Sequence, residues 1–209
     1  MVRRSLPKMP GLDAKPIYTP RLALRPFRRR DVRALDEAVR ASLTDLGRWL
    51  PWAGAGYDRS VAQQFVRDSM QSWAEGKAFD YAIRRPADPD RHLGNVSVWF
   101  TQRNGPVGEV GYWTRSDVAG SGIATEAAAA VLGVAFERLQ MHRVVLRIAV
   151  GNRASERIAE KLGFTQEGLL REEVKVGGRW IDHTIWVFLE QEWRVERPRY
   201  VAAGWIKPG

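Results

Sequence analysis

Residues 109–126 read EVGYWTRSDVAGSGIATE, and they are the most informative segment of the chain. The first five letters, EVGYW, are typical of a strand, and a glycine-containing turn at residues 119–122 leads directly into an alanine-rich helix. Such a junction brings free backbone N–H groups and the positive end of a helix dipole to one point. We therefore expect this turn to bind a phosphate or diphosphate group.

The turn differs from the two common nucleotide-binding loops. It has neither the Gly-Lys-Ser/Thr sequence of a P-loop nor the third glycine of a dinucleotide-binding fingerprint. The sequence therefore indicates a different phosphate-bearing cofactor.

The composition indicates a globular domain without metal or disulfide chemistry. The chain has 209 residues, of which 44% are hydrophobic and 27% are charged, and a chain of this length can bury a sizeable core. It has no cysteine, and its three histidines are not spaced as metal ligands on one helix. No apolar run approaches the ~20 residues of a membrane span, and the first residues do not form a secretory signal. We therefore expect a cytoplasmic protein.

The formal net charge of the chain is +9. An excess of positive charge favours anionic partners, such as a phosphorylated cofactor, RNA, the ribosome or an acidic peptide. A genome-wide preference for arginine would give the same excess, so the charge by itself identifies no partner.

The chain is predicted to consist of a loosely structured arm (residues 1–18), one domain (residues 19–195) and a C-terminal tail (residues 196–209). Helices are predicted at residues 125–139 and 152–162. Seven strands are predicted, at residues 19–27, 79–84, 92–101, 107–113 and 143–150, from residue 164, and at 180–189. This order predicts an α/β (α+β) fold, with a mixed, mostly antiparallel sheet and helices on both of its faces.

The fourth and fifth predicted strands, 107–113 and 143–150, are joined by one helix, so they should be parallel neighbours. Gly111 lies within the fourth strand, and a glycine there often marks a bulge or a close backbone approach. If the strands separate at Gly111, their unpaired amides line a slot that could receive the amide-containing arm of a cofactor. A simple bulge at a bend of the sheet is the alternative.

Several motifs, in their order and spacing, resemble the GCN5-related N-acetyltransferase (GNAT) superfamily, and within it the RimJ/RimL type. They are TPRL at 19–22, WLPW at 49–52, EVGYW at 109–113, GSGIATEA at 120–127, HRV at 142–144, NRAS at 152–155, KLGF at 161–164, EG at 167–168 and GRWIDH at 178–183. The resemblance covers about residues 19–193. It implies a V-shaped splay between the fourth and fifth strands, an acyl-CoA such as acetyl-CoA or succinyl-CoA as cofactor, an amine acceptor, and a monomer or homodimer.

The resemblance implies two groups of cofactor-binding residues. The fourth strand would line the slot with Val110, Gly111, Tyr112 and Trp113, and the phosphate turn comprises Ala119, Gly120, Ser121, Gly122, Ile123, Ala124 and Thr125. In the family this turn usually begins with Gln or Arg, whereas this chain has Ala119. The missing side chain mainly braces the turn, and Ala119 keeps its backbone N–H. We therefore expect weaker cofactor binding rather than none.

Asn152 and Ser155 begin the helix at 152–162, where residues of these types also serve as caps. The resemblance implies in addition that Asn152 hydrogen-bonds the pantetheine arm and that Ser155 protonates the departing thiolate. Glu109 is the first choice for the general base, acting through water, and a plain surface carboxylate on a strand is the alternative. Glu172 and Glu173 are second choices, which could instead bind the ammonium group of the acceptor. Since the chain lacks cysteine, direct attack of the amine in a ternary complex is the economical mechanism.

Trp49, Trp52 and Trp73 are predicted to line the acceptor side, where they could stack on an aromatic or cationic substrate; packing in the core is the alternative. His183 resembles a position that faces the acceptor, again with a structural role as the alternative. The leading hypothesis is transfer of an acetyl group from acetyl-CoA to a primary amine, such as the N-terminus of a ribosomal protein, without any need for a nucleic acid or a membrane. Alternatives are a small amine such as an antibiotic or a polyamine, a succinyl donor, and a non-catalytic CoA-sensing or RNA-binding module.

Overall fold

The computed structural model describes residues 12–101 and 105–208. Its strands are β1 (Ile17–Tyr18), β2 (Ala23–Pro26), β3 (Ala78–Arg84), β4 (Gly94–Phe100), β5 (Val107–Thr114), β6 (Arg143–Ala149), β7 (Thr165–Val176) and β8 (Arg179–Leu189). They form one eight-stranded sheet in the order β1-β2-β3-β4-β5-β6-β8-β7. Strands β5 and β6 are parallel, and the other neighbouring pairs of described strands are antiparallel. The predicted mixed sheet is confirmed, with eight strands instead of seven because Ile17–Tyr18 pairs with β2.

Helices cover both faces of this sheet, as predicted. They are α1 (Val32–Arg40), α2 (Leu43–Leu46), α3 (Arg59–Ala74), α4 (Ile123–Gly133), α5 (Arg153–Leu162) and α6 (Glu190–Ala202). A π-helical turn, Val134–Arg138, continues α4. Within the described part of the chain, no helix has both the length and the apolar content that crossing a bilayer would require.

Strand β3 divides its buried side chains between two cores. Phe79, Tyr81 and Ile83 belong to the larger core with α4, α5 and α6, whereas Ala82 belongs to the smaller core with α1, α2 and α3. This alternation is the period of two that a strand covered on both faces must have. The sheet is therefore a partition between two helical layers.

The parallel pairing of β5 with β6 is short. It runs from Val107↔Arg143 to Glu109↔Val145 and then stops, although β5 continues to Thr114. Strand β6 continues as well, and it stays paired with β8 as far as Ala149. The predicted V-shaped separation of the fourth and fifth strands is confirmed, and it lies between β5 and β6.

Gly111 is not a bulge, contrary to one of the two predictions. The register between β4 and β5 is unbroken from Gly94↔Thr114 to Phe100↔Gly108. A Cβ atom at Gly111 would lie 3.1 Å from Cη2 of Trp99 on the neighbouring strand. A side chain at this position would have to displace the Trp99 indole ring slightly, so Gly111 marks a close approach and not a bulge.

The C-terminal residues pack on the domain. Trp193 and Tyr200, both on α6, are 3% and 0% exposed, and the Tyr200 hydroxyl donates to the carbonyl oxygen of Leu162 at 2.5 Å. The predicted boundary between domain and tail, at residue 195, falls inside α6. Most of the predicted N-terminal arm, residues 1–11, lies outside the described residues.

His92 is a buried histidine beneath the smaller core. Its Nε2 lies 2.6 Å from Oδ1 of Asn95, and its ring lies 5.8 Å from those of both Phe27 and Trp113. Burial, with a smaller contribution from the Arg84 guanidinium, lowers the pKa of the His92 imidazole from 6.5 to about 3. The ring is therefore neutral in the folded protein at neutral pH.

We predict that this histidine makes the protein sensitive to acid. Between pH 6.5 and about 3 the unfolded chain binds a proton at His92 that the folded chain does not, so stability is lost as the pH falls through this range. The contribution approaches about 1.4 kcal/mol per pH unit. Urea unfolding at pH 7, 6, 5 and 4 should give a steeper loss for the natural protein than for His92→Gln, which keeps a donor for Asn95.

The matched control is His142→Gln, which removes an exposed histidine. Equal pH slopes for the natural protein and His92→Gln would contradict the prediction.

Candidate active site

The glycine turn before α4 has the geometry of an anion site. Gly120 and Gly122 have φ angles of 77° and 81°, in the left-handed region that favours glycine. Among the described residues, none accepts a hydrogen bond from the backbone N–H groups of Gly120, Gly122, Ile123, Ala124 and Thr125. These donors lie at the positive end of α4, as expected.

The backbone N–H of Ala119 is not free to bind an anion, although the sequence had suggested that it would be. Its N–H donates to the carbonyl oxygen of Ser116 at 3.2 Å, and the N–H of Ser121 donates to Val118 at 3.4 Å. Both donors are used inside the turn because a short 3-10 turn, Ser116–Val118, immediately precedes it. The free donors therefore begin at Gly120.

A buried carboxylate fixes an arginine beside this turn. Glu126 is 1% exposed, and its Oε1 accepts hydrogen bonds from the Thr19 hydroxyl at 2.5 Å and the Arg21 N–H at 3.0 Å. Nε of Arg21 donates to the other oxygen of Glu126, and its Nη1 donates to the carbonyl oxygen of Ser121 at 3.0 Å. A partly exposed guanidinium thus stands next to the free N–H groups. The TPRL motif signalled this segment, but no role was predicted for Arg21.

Two hydroxyl groups meet at the opening between β5 and β6. Oδ1 of Asn152 accepts from the Ser155 N–H at 3.2 Å, so the predicted capping of α5 is confirmed. Oγ of Ser155 lies 3.4 Å from the hydroxyl oxygen of Tyr112, which belongs to the unpaired part of β5. Burial raises the pKa of Tyr112 to about 12, so its phenol is protonated at neutral pH.

A charged cluster lies on the other face of the sheet. Arg147 donates to both carboxylate oxygens of Glu109, with Nη2 at 2.6 Å and Nε at 3.0 and 3.1 Å. Its Nη1 donates to Oε1 of Glu173 at 2.6 Å, and Nδ1 of His183 lies 3.6 Å from Oε2 of Glu173. Arg147 follows the last β5–β6 pair by two residues, so its side chain links the two sides of the opening.

The two adjacent glutamates of β7, Glu172 and Glu173, differ in burial and in their contacts. Oε2 of Glu173 is buried and has no hydrogen-bond partner among the described residues. Glu172 is exposed, has a φ angle of 50°, and lies in a register shift between Leu170 and Val174. Its backbone N–H donates a hydrogen bond to Oδ1 of Asp182 at 2.7 Å. The structure therefore brings Glu173 into the cluster and does not bring Glu172 there.

A cavity of about 850 Å³ lies on the same face as the charged cluster, between the sheet, α1, α3 and the segment 50–57 that precedes α3. Its aromatic lining includes Trp52, Tyr57, Phe65, Trp99 and Trp113, and its polar lining includes Ser60, Gln64, Arg67, Asp68, Asp80, Asn95 and Ser97. Tyr112 also borders the cavity, although its side chain packs on the larger core and its hydroxyl meets Ser155 on the α5 side of the sheet. Gly111 and Trp113, predicted as cofactor residues, contribute to this wall.

Of the three tryptophans predicted on the acceptor side, Trp52 lines the cavity, whereas Trp49 is not part of its lining. Trp73 packs instead on the larger core, 5.1 Å from the ring of Phe79 and 5.0 Å from that of Tyr81, because α3 reaches past the edge of the cavity.

Sequence reasoning missed Arg147, Asp80 and Trp99. A signal existed for the first two. Arg147 is charged within a strand of apolar and β-branched residues, and Asp80 alternates with the buried Phe79 and Tyr81. A polar residue at such a position needs a partner or a cavity.

Comparison with known proteins gives the family. The model of the family described as "Acetyltransferase (GNAT) domain" matches residues 21–165. A Bacillus subtilis (strain 168) protein named "Putative ribosomal N-acetyltransferase YdaF" is 29% identical over 177 residues, covering 84% of this chain and 95% of that protein.

Solved structures agree with this match. The structure of Mycobacterium smegmatis RimJ in complex with CoA-disulfide superposes with a TM-score of 0.79 at 28% identity, covering 91% of this chain and 93% of the other. A RimL ribosomal L7/L12 α-N-protein acetyltransferase in complex with coenzyme A has the same fold, with a TM-score of 0.78 at 22% identity over 85% of this chain and 99% of that one. Because the family model matches residues 21–165, which is most of the chain, the chain belongs to the GNAT acetyltransferase family.

Proposed function

We propose that this N-acetyltransferase moves an acetyl group from acetyl-CoA to a primary amine, by direct attack of the amine in a ternary complex. The observation that carries the proposal is the end of β5–β6 pairing after Glu109↔Val145. This opening has a cluster of free N–H donors and two hydroxyls on one side of the sheet, and a carboxylate cluster on the other.

The residues at the turn fit a diphosphate. The free N–H groups of residues 120 and 122–125 supply donors without a compensating acceptor, and Arg21 adds a positive charge that Glu126 holds in place. The opening between the strands fits an amide-containing arm, and Asn152 and the unpaired part of β5 would hold it. The complexes of RimJ with CoA-disulfide and of RimL with coenzyme A support this cofactor class.

Aminolysis of the thioester forms a C–N bond and breaks the C–S bond. The amine must lose a proton, and the departing thiolate must gain one. Ser155 is the proposed proton donor to the sulfur, and the neighbouring Tyr112 hydroxyl holds the serine and can replace its proton.

Glu173 is the better candidate for accepting the proton of the amine. Both oxygens of Glu109 are engaged by Arg147, whereas Glu173 retains one oxygen without a donor among the described residues. In this proposal Glu109 positions Arg147, and Arg147 in turn orients Glu173. Glu109, the first choice for the general base from the sequence, therefore has a positioning role in this proposal.

The names of two relatives bear on the acceptor amine. The name of RimL points to the N-terminus of a ribosomal protein and that of YdaF to a ribosomal substrate, and the net charge of +9 would favour approach to ribosomal RNA. A succinyl donor or a small amine acceptor would use the same opening.

We predict that Glu173→Gln lowers kcat about 10²- to 10⁴-fold, because the amine then has no group to take its proton. The measurement is CoA thiol release with acetyl-CoA and an amine, followed from pH 6 to pH 10. A more alkaline medium supplies more unprotonated amine, so the loss should shrink as the pH rises.

The matched control is Glu172→Gln, which makes the same change one residue away at an exposed position. A loss of equal size in both variants, or a loss with Glu173→Gln that does not depend on pH, would count against Glu173 as the base. Amine-independent CoA binding or RNA binding without any thiol release would favour the non-catalytic module.

A second prediction concerns the turn. Ala119→Gln should tighten CoA binding about fivefold, because one added hydrogen bond that braces the turn is worth about 1 kcal/mol. Isothermal titration with CoA measures this, with Ala87→Gln at an exposed turn elsewhere as the matched control. Failure of the natural protein to saturate at millimolar CoA would overturn the assignment of the turn.

A further inference from the structure

The cavity beside β5 carries an inference about the acceptor, and it rests on the proposed acetyl transfer. We propose that the acceptor is a primary amine with a large apolar, aromatic-sized group on or next to its amine carbon. This group would fill the cavity while the nitrogen faces the Glu109–Arg147–Glu173 cluster.

The lining is suited to an aromatic body. Trp52 is 39% exposed, and its ring makes edge contacts with Trp113 at 6.2 Å and a tilted contact with Tyr57 at 6.4 Å. When an apolar ligand covers a large apolar side chain in a concave wall, apolar surface is removed from water, and this favours binding. The volume of about 850 Å³ is far larger than the methyl or hydroxymethyl group of an N-terminal alanine or serine.

The cavity offers few charges to a polycation. Its lining includes the carboxyl groups of Asp68 and Asp80, and the guanidinium of Arg67. Burial raises the pKa of Asp80, and the nearby hydroxyls of Ser97 and Ser69 act in the opposite direction. A polyamine or an aminoglycoside would have to desolvate several ammonium groups here with few compensating charges. A monoamine with one apolar group avoids that cost.

The register places the cavity and the cluster side by side. Trp99, in the cavity wall, is the direct β4 partner of Glu109, and Gly111 is two residues further along β5 on the same face. Residues two apart on a strand are separated by about 6.8 Å. An amine one or two carbons from an aromatic ring therefore spans the distance from the cavity to the cluster.

The experiment compares matched acceptors at fixed acetyl-CoA by thiol release. One arm uses free amines, phenethylamine and tryptamine against propylamine and spermidine. The other uses peptides that differ only in the first residue, Phe or Trp against Ala or Ser. We expect kcat/KM at least about 30-fold higher for the aromatic members, as for burial of one aromatic side chain. The arm in which this ratio appears tells whether the apolar group comes from a small molecule or a polypeptide.

Trp52→Ala should lower kcat/KM for the aromatic acceptors about tenfold and change that for propylamine by less than twofold. Trp180→Ala, which removes a tryptophan that is 57% exposed outside the cavity, is the matched control. Titration of the CoA-saturated protein with phenethylamine gives a readout that needs no turnover.

The outcomes separate the two proposals. Transfer to alanine or serine peptides at equal or higher kcat/KM overturns the aromatic acceptor and leaves acetyl transfer standing. No thiol release with any amine, together with saturable binding of phenethylamine that Trp52→Ala weakens, supports the pocket and sinks the transfer mechanism. Absence of phenethylamine binding at millimolar concentration overturns the pocket assignment.

Discussion

The early end of one hydrogen-bonded ladder is the constraint on which the rest of this structure depends. Strands β5 and β6 pair only as far as Glu109 and Val145, yet both continue, and buried backbone groups must find partners somewhere. Each strand is held on its outer side, β5 by β4 and β6 by β8, so the opening is supported without being closed. An extended ligand with its own amides would meet the hydrogen-bonding need that the two strands leave unmet.

The two faces of the sheet present different chemical groups to the opening. Alternation along β5 sends Tyr112 toward α5 and Glu109 toward the opposite face, one strand thereby serving both sides. The proposed proton donor and proton acceptor can consequently stand on opposite sides of one thioester without competing for space. Arg147 bridges the opening on the carboxylate side, and its three hydrogen bonds to Glu109 occupy both oxygens of that carboxylate.

Local features of this site were readable from the sequence, and long-range ones were not. The turn before α4 and the cap formed by Asn152 depend on residues close together in the chain, and both follow from glycine and asparagine chemistry. Gly111 was ambiguous because a bulge and a close approach leave the same residue type, and only the register with Trp99 separates them. The partnership of Arg147 with Glu173 needs the order β6-β8-β7, which composition and spacing do not reveal. Trp73 and Trp52 look alike in sequence, but Trp73 lies near the end of α3 against the larger core, whereas Trp52 lies in the segment before α3, in the cavity wall.

The attachment of α6 to α5 has a mechanical consequence. Tyr200 and Arg199 bond the carbonyl oxygens of Leu162 and Lys161, at the far end of the helix that begins beside Ser155. A ten-residue helix is a stiff rod of about 15 Å, so displacement at one end is felt at the other. The last helix of the chain is therefore connected, through α5, to Ser155, the proposed proton donor at the opening.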